Sequence, residues 1–365
     1  MEALLKSNYV IDGVREELTP AEMLGRCKCA VPDAGTIVDE SREPGLDAIQ
    51  FESFDPDHYL ARIRAARRTM PTAFAGTFTR GRVAGALIDT IWRRGNFKIG
   101  DLSLEAKWKV NPSGVGNMAA FYRSVEAASD YVDGLGLAFE DYFVEEGDSN
   151  SVSFRAVLSS SDAPEDIFID QPYRSERPVF EPGCLPAAMD ADPLSWIVYI
   201  PFDTSDYRLG GSMLAQTTGQ AGGVAPMVQD ADYFLDCYEV VRELVEDGVA
   251  IAGTTVLDGG LMAAADRMCA QGAGVELDIS DMITAFGESN NIRLLFAEVP
   301  GVLIQIRDID FDYLDAEMLL QDVVYFPLGH PVPGEGRVSV KAACKTGIQS
   351  ILDSLIRNQG AEGED

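Results

Sequence analysis

Hydrophobic positions in the first half of the chain follow two different periods. Spacings of three and four residues predict amphipathic helices, and strict alternation predicts half-buried strands. The helical spacing covers residues 81–94 and 118–133, and the alternating pattern covers residues 99–110 and 152–158. Two further helices, at residues 20–26 and 56–68, are predicted from capping residues followed by Pro at the first helical position. This half of the chain therefore mixes helices with strands.

Residues 160–192 are rich in Pro, Ser and Asp and form the best candidate domain boundary. Beyond it, strands are predicted at residues 196–202, 250–252, 275–279 and 301–307, and helices at residues 231–246, 261–270, 280–286 and 341–357. Interleaved strands and helices predict an α/β or α+β chain of two domains. The acid-rich stretch at residues 308–312 lacks the Gly and Glu of a calcium loop and predicts a polar loop and strand.

The charge balance narrows the classes of partner. The chain has 59 acidic residues against 29 basic ones, a formal net charge of −30. Because nucleic-acid binding needs clustered Lys and Arg, we expect no DNA or RNA partner. No apolar stretch is long enough for a membrane-spanning helix, and the first residues lack a signal-peptide pattern. Together with six scattered cysteines, this predicts a cytoplasmic protein without a membrane partner.

Two glycine-rich corners carry the candidate chemistry. Arg208-Leu-Gly-Gly-Ser212 follows the predicted strand at 196–202, and Asp258-Gly-Gly260 precedes the predicted helix at 261–270. Glycines let the backbone approach a ligand, and free N–H groups at a helix start attract phosphate. The alternative is structural: each corner is a tight turn that needs small residues, with Asp258 as an N-cap.

The corners and their flanks resemble motifs of phosphoribosylformylglycinamidine synthase, in the same order along the chain. Leu209-Gly-Gly-Ser-Met-Leu-Ala-Gln216 is similar to the LGGS-x-x-AQ turn, and Asp258-Gly-Gly-Leu261 to the end of the HDxSDGGL motif. Leu294-Leu-Phe-Ala-Glu-Val-Pro-Gly301 resembles the LF-x-E-x-x-G segment, and Ile99-Gly-Asp-Leu with Leu104-Glu-Ala-Lys-Trp108 resembles the GD…LSANW region. The resemblance is to the second half of that enzyme, good over residues 190–310 and weaker over residues 80–160.

This resemblance implies a two-domain aminoimidazole ribonucleotide synthetase-like fold. An N-terminal α/β domain at residues 76–188 would pair with another such domain in a shared β-barrel, and a C-terminal α/β domain would occupy residues 189–345. Residues 1–75 would be an extension of unclear role, and residues 346–365 a terminal helix and tail.

The resemblance also implies a function in de novo purine biosynthesis. The family joins formylglycinamide ribonucleotide with ammonia from glutamine, at the expense of ATP and with Mg²⁺. Two homologous halves build the family's active site, and this chain of 365 residues supplies one half. We therefore expect a homodimer or a heteromer with another synthetase half, and a glutaminase subunit as a further partner.

Carried over position by position, the resemblance assigns site residues. ATP or phosphate binding falls to Arg208, Gly210, Gly211, Ser212, Asp258, Gly259 and Gly260. Asp148 and Glu298 become candidate metal ligands, and Ser149 joins Asp148 in a metal or nucleotide role. The structural alternatives are a solvated turn for Asp148 and Ser149 and a loop carboxylate for Glu298.

The chain departs from the family pattern at polar and charged positions. Gly147 stands where the GKDS motif has lysine, and Thr254, Thr255 and Leu257 stand where HDxSDGG has His, Asp and Ser. A phosphate site without that lysine lacks a positive charge and three hydrogen-bond donors. A second interpretation is therefore a catalytically degenerate paralogue that binds a nucleotide, a phosphate or a protein. A third is a selenophosphate or thiamine-phosphate kinase relative, which would need acidic metal-binding clusters near the N-terminus.

Overall fold

A computed structural model describes residues 2–25, 49, 54–66, 68–93, 98–158, 185–219, 223–269, 272–288, 290–334 and 336–341. The helix predicted at residues 341–357, the tail at 346–365 and most of the boundary at 160–192 lie outside the described residues.

The α-helices of the described part, in chain order, are α1 (Glu2–Lys6), α2 (Pro20–Gly25), α3 (Pro56–Ala65), α4 (Ala75–Arg93), α5 (Asn117–Gly134), α6 (Met213–Thr218), α7 (Ala231–Glu246), α8 (Gly260–Met268), α9 (Ser280–Phe286), α10 (Asn291–Phe296) and α11 (Phe311–Leu320). The strands are β1 (Val10–Ile11), β2 (Val14–Arg15), β3 (Leu102–Val110), β4 (Phe139–Glu146), β5 (Ser151–Leu158), β6 (Trp196–Pro201), β7 (Ala250–Val256), β8 (Ala273–Leu277), β9 (Gly301–Ile306), β10 (Phe326–Gly329), β11 (Pro331–Pro333) and β12 (Val338–Val340).

A four-stranded sheet of order β10-β6-β9-β7 lies at the centre of the C-terminal part. Strands β6 and β9 pair antiparallel, with Trp196 opposite Ile306. Val198 and Ile200 face one apolar core, whereas Ile197 and Tyr199 face the other. Because both faces are covered, β6 is a continuous apolar run rather than an alternating one.

A second sheet of order β4-β3-β5 belongs to the N-terminal part. On β3 the alternate side chains Leu104, Ala106 and Trp108 are fully buried, while Lys107 between them is exposed. Helix α4 packs against both β5 and β7 and against α5. Its Leu87 shares one core with Val198 of the central sheet. Helix α4 therefore joins the two sheets.

The remaining strands are short. Strands β11, β8 and β12 form a three-stranded sheet, and β1 pairs with β2 in a hairpin. None of the helices that the structure describes has the length and apolar character needed to cross a bilayer.

The structure corrects several predicted elements. The polar loop and strand predicted at residues 308–312 is wrong, because α11 begins at Phe311 and packs Leu314 and Met318, one helical turn apart, on the core. Strand β4 escaped prediction because its side chains are only partly buried, so its sequence carries no regular apolar alternation. Helix α4 begins at Ala75 rather than at residue 81, which brings its first turns to the glycine corners.

Candidate functional site

The two glycine corners meet at Glu298, in the loop between α10 and β9. Its Oε1 accepts one hydrogen bond from the backbone N–H of Met213 at 2.9 Å and another from Gly259 at 2.8 Å. Met213 opens the helix after the first corner, and Gly259 belongs to the second corner. One carboxylate oxygen of the protein thus holds both corners together.

The first corner is fixed by its own backbone. The Ser212 hydroxyl donates to Leu209 O at 2.7 Å and accepts from the Ala215 N–H at 3.2 Å, so it caps α6. A Cβ on Gly210 would lie 2.3 Å from Val224 O. Gly211 has a φ of +73°, and a Cβ there would lie 3.0 Å from Phe74. The glycines are therefore required by close packing and by backbone conformation.

The second corner is built in the same way. Gly259 and Gly260 have φ values of +77° and +68°, and a Cβ on Gly260 would lie 2.7 Å from Leu295 O. The N-cap of α8 is Gly259, so the N-cap role considered for Asp258 is wrong. Asp258 instead pairs with two guanidinium groups, those of Arg68 and Arg82.

Arg82 is the main positive charge at the corners. Its two Nη atoms both donate to the Asp258 carboxylate, Nη1 to Oδ2 at 2.8 Å. Its guanidinium carbon lies 4.8 Å from the centre of the Phe78 ring, a distance typical of a cation–π contact. Burial lowers the pKa of Arg82 to about 10, with Arg68 beside it as a further cause, so Arg82 remains charged at neutral pH.

Neither Arg68 nor Arg82 is among the site residues predicted from the sequence. The signal that points to Arg82 is the pair Gly81 and Gly85, one helical turn apart on α4. A Cβ on these glycines would lie 3.3 and 2.9 Å from Leu257. Small residues at that spacing mark the face on which α4 packs against the second corner, and Arg82 follows Gly81 directly.

A pocket opens between α4 and the two corners. Its empty volume is about 390 Å³, with the solvent at its mouth included. One wall is apolar and contains Phe74, Phe78, Pro226 and Leu257. The polar lining residues are Thr77, Arg82, Ser212 and Glu298. The pocket therefore places an apolar wall beside a group of polar side chains.

The charges around this pocket leave no positive surplus. Arg68 and Arg82 lie against Asp258 and Glu298, and Asp89 is a further negative charge that acts on Arg82. Burial raises the pKa of the Glu298 carboxyl, against the lowering effect of its two N–H donors and of the two arginines. The pocket is therefore polar without a surplus of positive charge.

Other predicted site residues lie elsewhere. Arg208 pairs with Asp206 at 3.3 Å and is absent from the lining of the pocket. Asp148 is exposed, and it lies with Ser149 between β4 and β5, where Asp148 O accepts from Asn111 Nδ2 at 3.1 Å. Within the described ranges, no group of three or more His, Cys, Asp or Glu residues is arranged to hold a metal ion. The expected magnesium therefore finds no such group in the described part of this chain.

The threonines that replace motif residues are engaged in packing contacts. Thr255 Oγ1 donates to Asp89 at 2.6 Å and accepts from Trp92 Nε1 at 2.8 Å, which ties β7 to α4. Thr254 Oγ1 accepts from Arg267 Nε at 3.3 Å. These positions connect structural elements rather than present acids or bases to the pocket.

The Lys109 side chain covers Gly147. A Cβ at this position would come within 2.1 Å of Lys109 Cε. The aliphatic part of Lys109 therefore occupies the space in which a longer side chain at position 147 would begin.

These features define a mixed α/β fold with a pocket at two glycine corners. The fold is similar to that of Thermotoga maritima PurL complexed with FGAR, with a TM-score of 0.51 and 12% sequence identity. That alignment covers 75% of this chain and 43% of the PurL chain.

The sequence relatives are named phosphoribosylformylglycinamidine synthase, which confirms the resemblance predicted from the motifs. A probable phosphoribosylformylglycinamidine synthase of Arabidopsis thaliana is 25% identical over 254 residues, covering 68% of this chain and 17% of the relative. The synthase of Drosophila melanogaster is 29% identical over 160 residues, covering 41% of this chain and 12% of the relative. The chain thus spans a small part of the curated relatives it matches. No family model matches it.

Proposed function

We propose that this chain is a phosphoribosylformylglycinamidine synthase-like protein of de novo purine biosynthesis. It supplies one half of a two-half active site for the ATP-dependent amidation of formylglycinamide ribonucleotide. The names of the sequence relatives support this reaction, and the structural relative was solved as a complex with FGAR.

The observation that carries the proposal is the convergence of both corners on one pocket beside Arg82. The pocket combines the apolar wall at Phe74 and Phe78 with the guanidinium of Arg82. A flat base can pack on the apolar wall, and a phosphoryl or carbonyl oxygen can accept from the guanidinium. Of the expected substrates, ATP carries both parts, whereas formylglycinamide ribonucleotide carries the phosphoryl and carbonyl oxygens.

The remaining parts of the proposal concern assembly. We propose that a second synthetase half, from another copy or another chain, completes the site. We propose that the N-terminal domain at residues 76–188 pairs with that half, and that a glutaminase subunit supplies ammonia. A cytoplasmic location belongs to the same proposal, although the Arabidopsis relative is named chloroplastic/mitochondrial.

A second candidate function is that of a degenerate paralogue, which binds a nucleotide without turning it over. The positions of Thr254, Thr255 and Gly147 favour it. The family has His, Asp and Lys there, whereas in this chain the two threonines connect structural elements and Gly147 lies under Lys109. This candidate shares the pocket with the first and differs in chemistry.

One experiment separates the two candidates. The purified 365-residue chain is incubated with Mg²⁺, ATP and ammonium chloride, with and without formylglycinamide ribonucleotide, and phosphate release and ATP binding are both measured. Release that depends on the ribonucleotide is expected for the synthase. ATP binding without such release supports the paralogue, and absence of both overturns the nucleotide proposal. Arg82→Met should weaken binding, whereas Arg208→Met, outside the pocket lining, should leave it unchanged.

A further inference from the structure

Helix α11 carries apolar side chains both toward the core and toward solvent. On the inner side, Leu314 and Met318 are buried in the core that also contains residues of the central sheet. On the solvent side, Leu319 is 81% exposed and Leu320 is 74% exposed. Tyr313, which is 41% exposed, shares a face with Leu320, because residues seven apart lie on one side of a helix. A helix that is apolar on all sides is normally covered on all sides.

The exposed apolar side chains of α11 are adjacent to one another. Leu319 and Leu320 are both neighbours of the exposed Ala316, since residues three and four apart lie side by side on a helix. We call Tyr313, Ala316, Leu319 and Leu320 the outer face of α11. In the described part of the chain, five of the twelve exposed large apolar side chains fall within residues 309–324. Single exposed apolar residues are common, whereas adjacent ones are typical of interaction surfaces.

Carboxylates border this outer face. On α11, Asp315 and Glu317 lie on its two flanks and Asp312 lies beside Leu319, as the helical repeat of the sequence requires. The sequence contains no Lys or Arg at residues 308–336. Acidic residues by themselves improve solubility. The exposed leucines among them have the opposite effect, so solubility does not account for this surface.

The C-terminal end of α7 adds to the negative charge. Asp247, which follows α7, accepts a hydrogen bond from the Tyr313 hydroxyl at 2.8 Å. This hydrogen bond is the main cause that raises the pKa of Tyr313 to about 12, and the carboxylates of Glu317 and Glu243 contribute to it. The neighbouring Arg242 is 6% exposed and already pairs with three glutamates of α7. The outer face therefore combines exposed leucines with a local excess of negative charge.

We propose that the outer face of α11 is a docking surface for another protein, which presents apolar side chains flanked by Lys and Arg. The two leucines are buried against the apolar side chains of this partner, and its cations lie against the surrounding carboxylates. Apolar contacts at the centre and charges at the rim are the usual arrangement of a protein interface, and complementary charge sets which partner fits.

The same charges argue against other occupants. A second copy of this chain would place its own acidic face against this one, and like charges that face each other cost free energy. Nucleic acids and anionic membranes meet the same repulsion. The pairing proposed above for residues 76–188 involves the other domain, so this surface does not depend on the proposed function.

The test uses the 365-residue chain and a fluorescently labelled synthetic peptide of Leu and Lys, whose leucines share one helical face. A second peptide has Glu in place of every Lys. Binding is measured by fluorescence anisotropy at physiological ionic strength, where interactions between distant exposed charges are largely screened. This condition matters because a chain with a net charge of −30 attracts any cationic peptide at low salt.

The apolar part of the surface is tested with Leu319→Gln combined with Leu320→Gln. Glutamine has nearly the helix propensity of leucine, and circular dichroism checks that the variant is folded. Val115→Gln, which changes an exposed apolar residue between β3 and α5, is the matched control. The double variant should bind the Lys peptide at least about tenfold more weakly than the wild type, because two leucines are no longer buried. Equal affinities of the double variant and the control overturn the proposal.

The charged part is tested with Asp312→Asn combined with Glu317→Gln. Asp57→Asn combined with Glu276→Gln removes the same charge from exposed positions on α3 and β8 and is the matched control. The first pair should weaken binding of the Lys peptide by about threefold, and the control pair should not. Equal weakening in both would show a response to total charge alone and would overturn the proposal. Equally tight binding of the Glu peptide would overturn it too.

Two further measurements identify what occupies the surface. The bound Lys peptide should slow amide hydrogen exchange in residues 311–324, and protection confined to other residues contradicts the proposal. Sedimentation velocity should give the same mass for the wild type and the leucine double variant. A larger mass for the wild type alone would assign the surface to a second copy and overturn the proposal.

The wild type itself provides the last outcome. Absence of peptide binding to it overturns the proposal, and is the result expected if another segment of this chain already covers the surface. If the leucine double variant does not fold, the charge variants and the hydrogen exchange decide the question. None of these measurements uses ATP or a ribonucleotide, so failure of the synthase assay and failure of this proposal are distinguishable.

Discussion

Replacement of Arg82 by Met tests how much of the corner architecture depends on one buried ion pair. The Arg82 side chain is 15% exposed and that of Asp258 is 8% exposed. Removal of one partner of a buried pair leaves a desolvated charge and costs about 3–5 kcal/mol. The Arg68 side chain, 49% exposed, still reaches Asp258 and offsets part of this loss. We therefore expect the free energy of unfolding to fall by about 3 kcal/mol.

The assay is urea denaturation at pH 7, followed by circular dichroism. Arg208→Met is the matched control, since the Arg208 side chain is 31% exposed and its partner Asp206 is 81% exposed. A surface pair of this kind contributes about 0–1 kcal/mol. A second variant, Asp258→Asn in the Arg82→Met background, should restore part of the lost stability because it removes the unpaired carboxylate. Equal costs for Arg82→Met and Arg208→Met, or no recovery in the double variant, would refute this reasoning.

Three further predictions concern the same region. Gly210→Ala should lower the free energy of unfolding, measured by urea denaturation, by about 3 kcal/mol, because the added Cβ overpacks against Val224 O. Gly136→Ala should lower it by only about 1 kcal/mol, because Gly136 has a φ of +69° but open space around it. Thr255→Val should lower the free energy of unfolding by about 2 kcal/mol and alter the fluorescence of Trp92, because two hydrogen bonds are lost; unchanged stability and fluorescence would contradict this. The pKa of Glu298 is raised in the folded protein, so ionisation of this carboxyl lowers the free energy of unfolding of the wild type as the pH rises above the ordinary value of 4.5. The wild type should therefore lose stability relative to Glu298→Gln as the pH rises from 4 to 7. A difference that is independent of pH would show that this carboxyl has the same pKa in the folded and unfolded states.

The sequence predicted much of the C-terminal scaffold because its elements carry strong local patterns. Helix α7 was predicted with its observed bounds, since its apolar stripe is regular and Asp230 caps it. Strand β9 is fully buried and, apart from Gln305, consists of Gly and apolar residues, and it ends before the charged Arg307. In contrast, α11 was missed because acidic residues conceal the four-residue spacing of its two core side chains.

The candidate site was predicted only in part. The two corners were predicted because a pair of glycines after an apolar strand can be recognised from the sequence alone. Arg82 was missed because its importance depends on Asp258, which is distant in the sequence and meets it only through the packing of α4 on the second corner. Glu298 was predicted from the sequence as a candidate metal ligand. Its hydrogen bonds from the Met213 and Gly259 N–H groups could not be predicted, because they depend on tertiary structure.

The central claim is that the two glycine corners converge on the Glu298 carboxylate. The most direct measurement is a ¹H–¹⁵N correlation spectrum of the deuterated protein, compared between wild type and Glu298→Gln. Loss of the charged acceptor should move the amide resonances of both Met213 and Gly259, because a charge-assisted hydrogen bond becomes a neutral one, and should leave that of Gly136 in place. Movement of only one of the two resonances, or of neither, would contradict the claim.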